Sequence, residues 1–167
     1  MKHFALNECE SGRYACATWL SEQALRETYL RPFQRAVQEE NMTGIMSAFN
    51  RIGARWVGGS FGLMTGVLRK EWGFNGYVDT DWTTGIKGTI DEQLRAGGDL
   101  GMACSLGQSI TYDYSQANTT ARFQHQLRLA VKHVLYSWLE SKYQASVYVP
   151  SEDEEITTSF SINTWQW

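Results

Sequence analysis

The sequence predicts an α/β fold of parallel strands over residues 1–143, either an open doubly wound sheet or a partial (half) TIM-type (β/α) barrel. Three observations carry this expectation. Short apolar runs of strand length alternate regularly with longer segments of helical period, the pattern of parallel β/α units. Polar residues collect just past the strand runs: Lys2 and His3, then Asn50, then Asp81 with Trp82. In a β/α barrel that edge is where sites are built. Four units are present, half of the eight that close a barrel.

Taken in order, residues 21–40 predict a helix, with Ser21 as N-cap and Glu22 in the first turn. Leu25, Tyr29, Phe33 and Val37 recur every fourth residue and form its apolar stripe. Pro32 falls inside that pattern and should kink it. Residues 43–49 fit a buried strand, and GARWVGGSFG reads as a glycine-rich loop at the pocket mouth. It lacks the Lys-Ser/Thr of a phosphate loop. Residues 62–72 fit a second helix with Leu63, Val67 and Leu68 inward. GFNG is turn chemistry, and YVDTDW is the next strand. TIDEQLRAG reads as a third helix with Gly97 at its C-cap, and DLGMA as a fourth strand. Residues 118–140 predict the last helix, capped by Asn118 or Thr119, with Phe123, Leu127, Ala130, Val134, Leu135 and Trp138 buried. Residues 144–167, with the acidic run SEDEE, read as an exposed acidic and aromatic tail.

Composition excludes several classes. Net charge is −3 with no basic patch, which argues against nucleic acid as a partner. No apolar run of membrane-spanning length occurs. The apolar stretch near the N-terminus is too short for a signal peptide, so a cytoplasmic setting is favoured. Cys9, Cys16 and Cys104 have no metal-site spacing and read as free buried thiols. His125 and His133 share a helix face without a third ligand, so they read as partly exposed surface rather than metal ligands. No metal or organic cofactor is implied.

Asp79 and Asp81 raise the chemical question, because strands disfavour aspartate and residues two apart share a face. Asp81, at the strand's mouth, has two readings. It is a nucleophilic carboxylate of the kind glycosidases use, or a cap for the following loop. Trp56 and Trp82 are the tryptophans placed to stack on a sugar. Asp99 reads as a turn or cap residue.

Five stretches then carry a resemblance: KHFALNECESGR, SEQALRETYLRPFQRAVQE, IMSAFNRIG, LRKEWGFNGYVDTDW and DEQLRAGGDLGM. In order and spacing they resemble the family 3 glycoside hydrolases of β-glucosidase type, over about residues 1–140. The resemblance implies the second half of that family's (β/α)8 barrel. It implies that Asp81 is the catalytic nucleophile and that Trp82 lies beside it in the substrate site. It further implies that Lys2 and His3 contact sugar hydroxyls, that Arg13 lies at the pocket, and that Met46 and Phe49 sit on a strand close to the nucleophile. Two positions depart from the pattern. Phe49 stands where many members have a tyrosine, and Asp79 where an apolar residue is usual. The family's first barrel half and its general acid/base fall outside the matched stretches; Glu10 and Asp79 are the candidate acids here to stand in for the latter.

A half barrel leaves two sheet edges and an inner face uncovered, which predicts a homodimer or larger homo-oligomer that completes eight strands. Two functions follow. One is retaining hydrolysis of terminal β-D-glucosyl residues in a β-glucoside or oligosaccharide, with Asp81 as nucleophile. The other is a truncated, non-catalytic barrel fragment with at most weak sugar binding.

Overall fold

The computed structural model describes residues 1–14, 16–82, 89–102 and 120–141. The tail, Cys104, Asn118 and Thr119 lie outside them.

The centre is a set of four parallel segments that pair in chain order. The first is the N-terminal segment, joined through Phe4 to Ser47. The second and third are β2 (Gly44–Met46) and β5 (Tyr77–Asp79), in register Gly44↔Tyr77, Ile45↔Val78 and Met46↔Asp79. The fourth is Leu100, bridged in parallel to Asp79. Side chains alternate across this sheet. Phe4, Ile45 and Val78 point into a core shared with the helices, and all three are buried. Phe4 sits at its heart, edge-on to Phe33 at 5.0 Å and to Trp72 at 6.1 Å. Met46, Asp79 and Leu100 belong to the opposite face by register.

The first predicted helix is broken in two, as Pro32 requires. A short α1 (Glu22–Ala24), capped by the Ser21 hydroxyl, runs into a widened turn over Leu25–Tyr29. There the Leu30 N–H reaches back to the Leu25 carbonyl. The chain restarts at Leu30 as α2 (Arg31–Gln38), with proline in its first turn, where a missing N–H costs nothing. The extra residue per turn carries Leu30 into the core with Phe33 and Val37.

The glycine-rich stretch is more than a loop, although Ala54, Arg55, Trp56 and Gly59 do line a recess with Arg51 and Glu92. It forms a hairpin, β3 (Arg51–Ile52) against β4 (Arg55–Trp56), which β1 (Ala17–Thr18) joins in parallel. Val57–Gly59 then make a buried helical turn. Gly58 must be glycine because the Trp56 ring fills the space a Cβ would need. Trp56 itself is buried and donates its indole N–H to the Ala48 carbonyl at 2.9 Å. That contradicts its assignment as a sugar platform.

Next, α3 (Gly62–Glu71) is wound wide throughout and buries Leu63, Met64 and Leu68. The short α4 (Ile90–Ala96) has a full capping box, Thr89 with Glu92, and stops at Gly97 with φ 106°. The long α5 (Ala121–Leu139) is capped by Thr120. Phe123 and Ala130 are buried as expected, but Leu135 and Trp138 are exposed, while Ser137 is buried and His133 nearly so.

Asp99 explains that rotation. Its carboxylate is buried beneath α5 and accepts from Arg69 at 2.6 Å, from the Val78 N–H at 2.7 Å and pairs with His133 Nδ1 at 2.7 Å. Arg69 also donates to the carbonyls of Gly97 and Gly76. Ser137 bonds to the Thr43 carbonyl and receives the Tyr77 N–H, so a small side chain lets α5 lie close to the strand starts. Asp99 is thus more than a turn residue: it ties strand, α3 and α5 together.

Candidate active site

The candidate site forms where the parallel segments end. Asp81 follows β5 by two residues, and His3 lies on the N-terminal segment, on the other side of β2. His3 Nε2 is 3.2 Å from Asp81 Oδ2. The other carboxylate oxygen accepts the Trp82 N–H at 2.7 Å. Oδ1 therefore caps the next peptide, and Oδ2 faces the imidazole. Oδ2 is buried and accepts no hydrogen bond among the described residues. A carboxylate oxygen held out of water without a donor is costly.

Burial pulls the His3 imidazole below its ordinary 6.5, against the upward pull of Asp81, and Lys2 and Arg13 lower it further. His3 is therefore neutral at pH 7 and able to donate from one nitrogen and accept at the other. The same couplings show that Lys2, His3, Arg13 and Asp81 share one electrostatic neighbourhood.

Arg13 sits on the turn that follows the first segment. Its guanidinium lies 4.6 Å from the Phe49 ring centroid and 5.1 Å from that of Tyr14. It pairs with Glu10 at 3.0 Å and donates to the Tyr14 hydroxyl at 3.2 Å. The bond to Tyr14, with the charges of Glu10 and Asp81, raises its pKa above the ordinary value, so it stays cationic. Phe49 is buried and forms the floor under that cation. Trp82, next to Asp81, is 48% exposed.

Asp79 and Met46 lie one layer deeper. With Met1, Lys2, Gly44, Ile45 and Tyr77 they line a recess of about 150 Å³. Burial, chiefly, pushes the Asp79 carboxyl up to about 6, with a smaller push from Asp81; a backbone hydrogen bond, the N-terminal ammonium and, least, Lys2 oppose it.

Sequence reasoning missed Tyr14, which no motif marks. It also missed Asn7, whose buried amide oxygen has no partner among the described residues; Asn50, which the sequence did place at a strand end, has its whole amide in that state, and the two line a recess of about 200 Å³ with Cys9 and Cys16. Those two thiols are free and exposed, not buried as expected, because the turn that carries them lies outside the core.

Parallel strands with helices packed on one face and polar residues at the strand ends define an α/β protein whose site is built on that edge. Within that class the assignment is specific. Residues 1–136 match the profile described as the glycosyl hydrolase family 3 N terminal domain, so the chain belongs to that family. A β-glucosidase of Ruminococcus albus is 37% identical over 117 residues, covering 65% of this chain and 12% of that protein. Beta-glucosidase B of Emericella nidulans is 41% identical over 102 residues, 61% of this chain and 12% of the relative. Among solved structures, β-glucosidase 3B of Thermotoga neapolitana with glycerol superposes at TM-score 0.72 and 31% identity, over 83% of this chain and 20% of that one. The Bifidobacterium adolescentis GH3 β-glucosidase does so at 0.73 and 28%, over 92% and 22%. The chain thus spans about an eighth of these curated relatives and a fifth of these structures.

Proposed function

We propose that this chain is half of a (β/α) barrel that acts on terminal β-D-glucosyl residues by retaining hydrolysis, with Asp81 as the nucleophile. The observation that carries this is the buried, donor-free Oδ2 of Asp81 beside a neutral His3. In such a reaction the carboxylate oxygen attacks the anomeric carbon as the aglycone leaves, and water then releases the sugar from the covalent intermediate. Lys2, His3 and Arg13 present N–H donors to sugar hydroxyls. Trp82 offers a ring face to the C–H side of the sugar. Phe49 supports Arg13 from below, and Met46 fills the layer beneath the mouth.

Retaining hydrolysis needs a second carboxyl about 5 Å from the first. Glu10 is engaged with Arg13, and Asp79 lies a layer deeper, so neither is the natural choice. The acid is assigned to a partner chain or to a residue outside this constellation. A second copy of this chain would also supply four more parallel segments and cover the inner face, and we assign that role to a homodimer.

The test is hydrolysis of an aryl β-glucoside whose leaving group departs with little acid assistance. Wild type is expected to turn over, and Asp81→Asn to lose about 100-fold or more. Equal activity in both would remove Asp81 from the mechanism. An inert wild type would favour the non-catalytic fragment.

A further inference from the structure

Arg13 stands on a turn rather than on a strand or helix, with its N–H reaching the Glu10 carbonyl at 3.4 Å. A long side chain on a turn is fixed only by what it touches. One of its anchors, Glu10, is 76% exposed, and an ion pair of that kind holds weakly. The others are aromatic. Phe49 is immobile in the core, and Tyr14 meets it edge-on, with centroids 4.9 Å apart at 69°. Tyr14 thus connects the exposed turn to the buried wall of the site.

We infer that Tyr14 is the positioning residue for Arg13 and, through it, sets how tightly the site holds a sugar hydroxyl; the second half of this rests on the sugar-binding role proposed for Arg13. Tyr14 acts at two points. Its ring and that of Phe49 pack against the guanidinium, and its oxygen accepts from Nη2 at 3.2 Å. Because that oxygen is the acceptor, the phenolic O–H remains available to donate toward a ligand. Phe49 provides the ring but no hydroxyl, so Tyr14 returns a phenol to this cluster from a different part of the chain.

The experiment compares wild type with Tyr14→Phe, which keeps the ring, and Tyr14→Ala, which removes both contacts. In the ligand-free chain, the Arg13 Nη2 protons, read by NMR, should exchange with solvent about 3- to 10-fold faster in Tyr14→Phe than in wild type. With D-glucose as the probe, Kd should rise about 3- to 10-fold in Tyr14→Phe and further in Tyr14→Ala. A purely structural role of the ring would leave Tyr14→Phe silent on both measurements, and that result overturns the inference. If wild type binds no glucose, the sugar-site reading falls, while the Arg13 exchange rate still decides whether Tyr14 positions it.

Discussion

His3 Nε2 lies 3.2 Å from Asp81 Oδ2, yet no hydrogen bond joins them. The ring is close enough to feel the carboxylate's charge but is not aimed to satisfy it. Burial dominates the imidazole, and Asp81 only partly offsets it. A titration followed by NMR should therefore place the His3 pKa below 6.5. Asp81→Asn should lower it further, because the substitution removes the one nearby charge that contributes most to raising it. The sign for stability follows: below pH 6.5 the unfolded chain binds the proton more readily, so folding stability falls as pH drops through that value. A His3 pKa that rises in Asp81→Asn would mean that the pair is not coupled as described.

Asp79 should titrate far from a normal aspartate, at about 6. The folded state then holds its proton more tightly than the unfolded chain does. The carboxyl's effect on stability worsens as pH rises from about 4 to about 6 and stays unfavourable above that. Asp79→Asn should be more stable than wild type at pH 7 by about 1 kcal/mol, after allowance for a half-exposed site, and equal to it near pH 4. Urea unfolding at the two pH values makes the comparison. A variant less stable at pH 7 would show that the charge has a favourable partner there.

The elements that could be read in the sequence are those whose local chemistry and packing agree. Ser21 caps a helix, Pro32 breaks it, Gly97 ends another, and the Leu63 and Leu68 stripe faces the core. What could not be read depended on distant partners. The α5 sequence carries two apolar stripes; the one with Leu135 and Trp138 is outward because buried Asp99 draws His133 inward. Trp56 resembled a rim residue until the Ala48 carbonyl claimed its indole N–H. In the site, Asp81, His3, Lys2 and Arg13 were marked by family motifs, whereas Tyr14 has only its contacts to reveal it.

Asp99 should be among the costliest positions to change outside the site. Its carboxylate is 1% exposed and faces Arg69, itself only 10% exposed. Burial lowers the Arg69 pKa even with Asp99 beside it, which shows how much the guanidinium relies on its partner. Asp99→Asn keeps the shape but removes the charge, leaving a buried cation short of compensation. The expected loss is about 3–5 kcal/mol, seen as a lower urea midpoint at unchanged slope. His133→Asn should cost less, since the Arg69 and Val78 contacts survive. A loss under about 1 kcal/mol for Asp99→Asn would show that water replaces the carboxylate.

The last prediction concerns assembly. The N-terminal segment and Leu100 are the outer members of the four-segment sheet, so each presents an unpaired edge among the described residues. On the face away from the helices, Met1 and Leu100 are 47% and 42% exposed, and Asp79 is half-buried beside them. On α5, Val131, Leu135, Trp138 and Leu139 recur at helical spacing and are more than half exposed. Open edges, an apolar inner face and an apolar outer stripe are what a second copy would cover if two four-strand sheets closed into one barrel. Light scattering should then give twice the 19.0 kDa of one chain. Leu100→Lys, on the inner face, should shift the mass toward the monomer by burying an unpaired charge. Leu135→Lys should do so as well, since helices of adjoining halves would meet along that stripe. An exposed position such as Lys70→Glu should leave the mass unchanged. A wild type that stays at 19.0 kDa at tens of micromolar would sink the dimer, and with it the idea that a second copy supplies the missing acid.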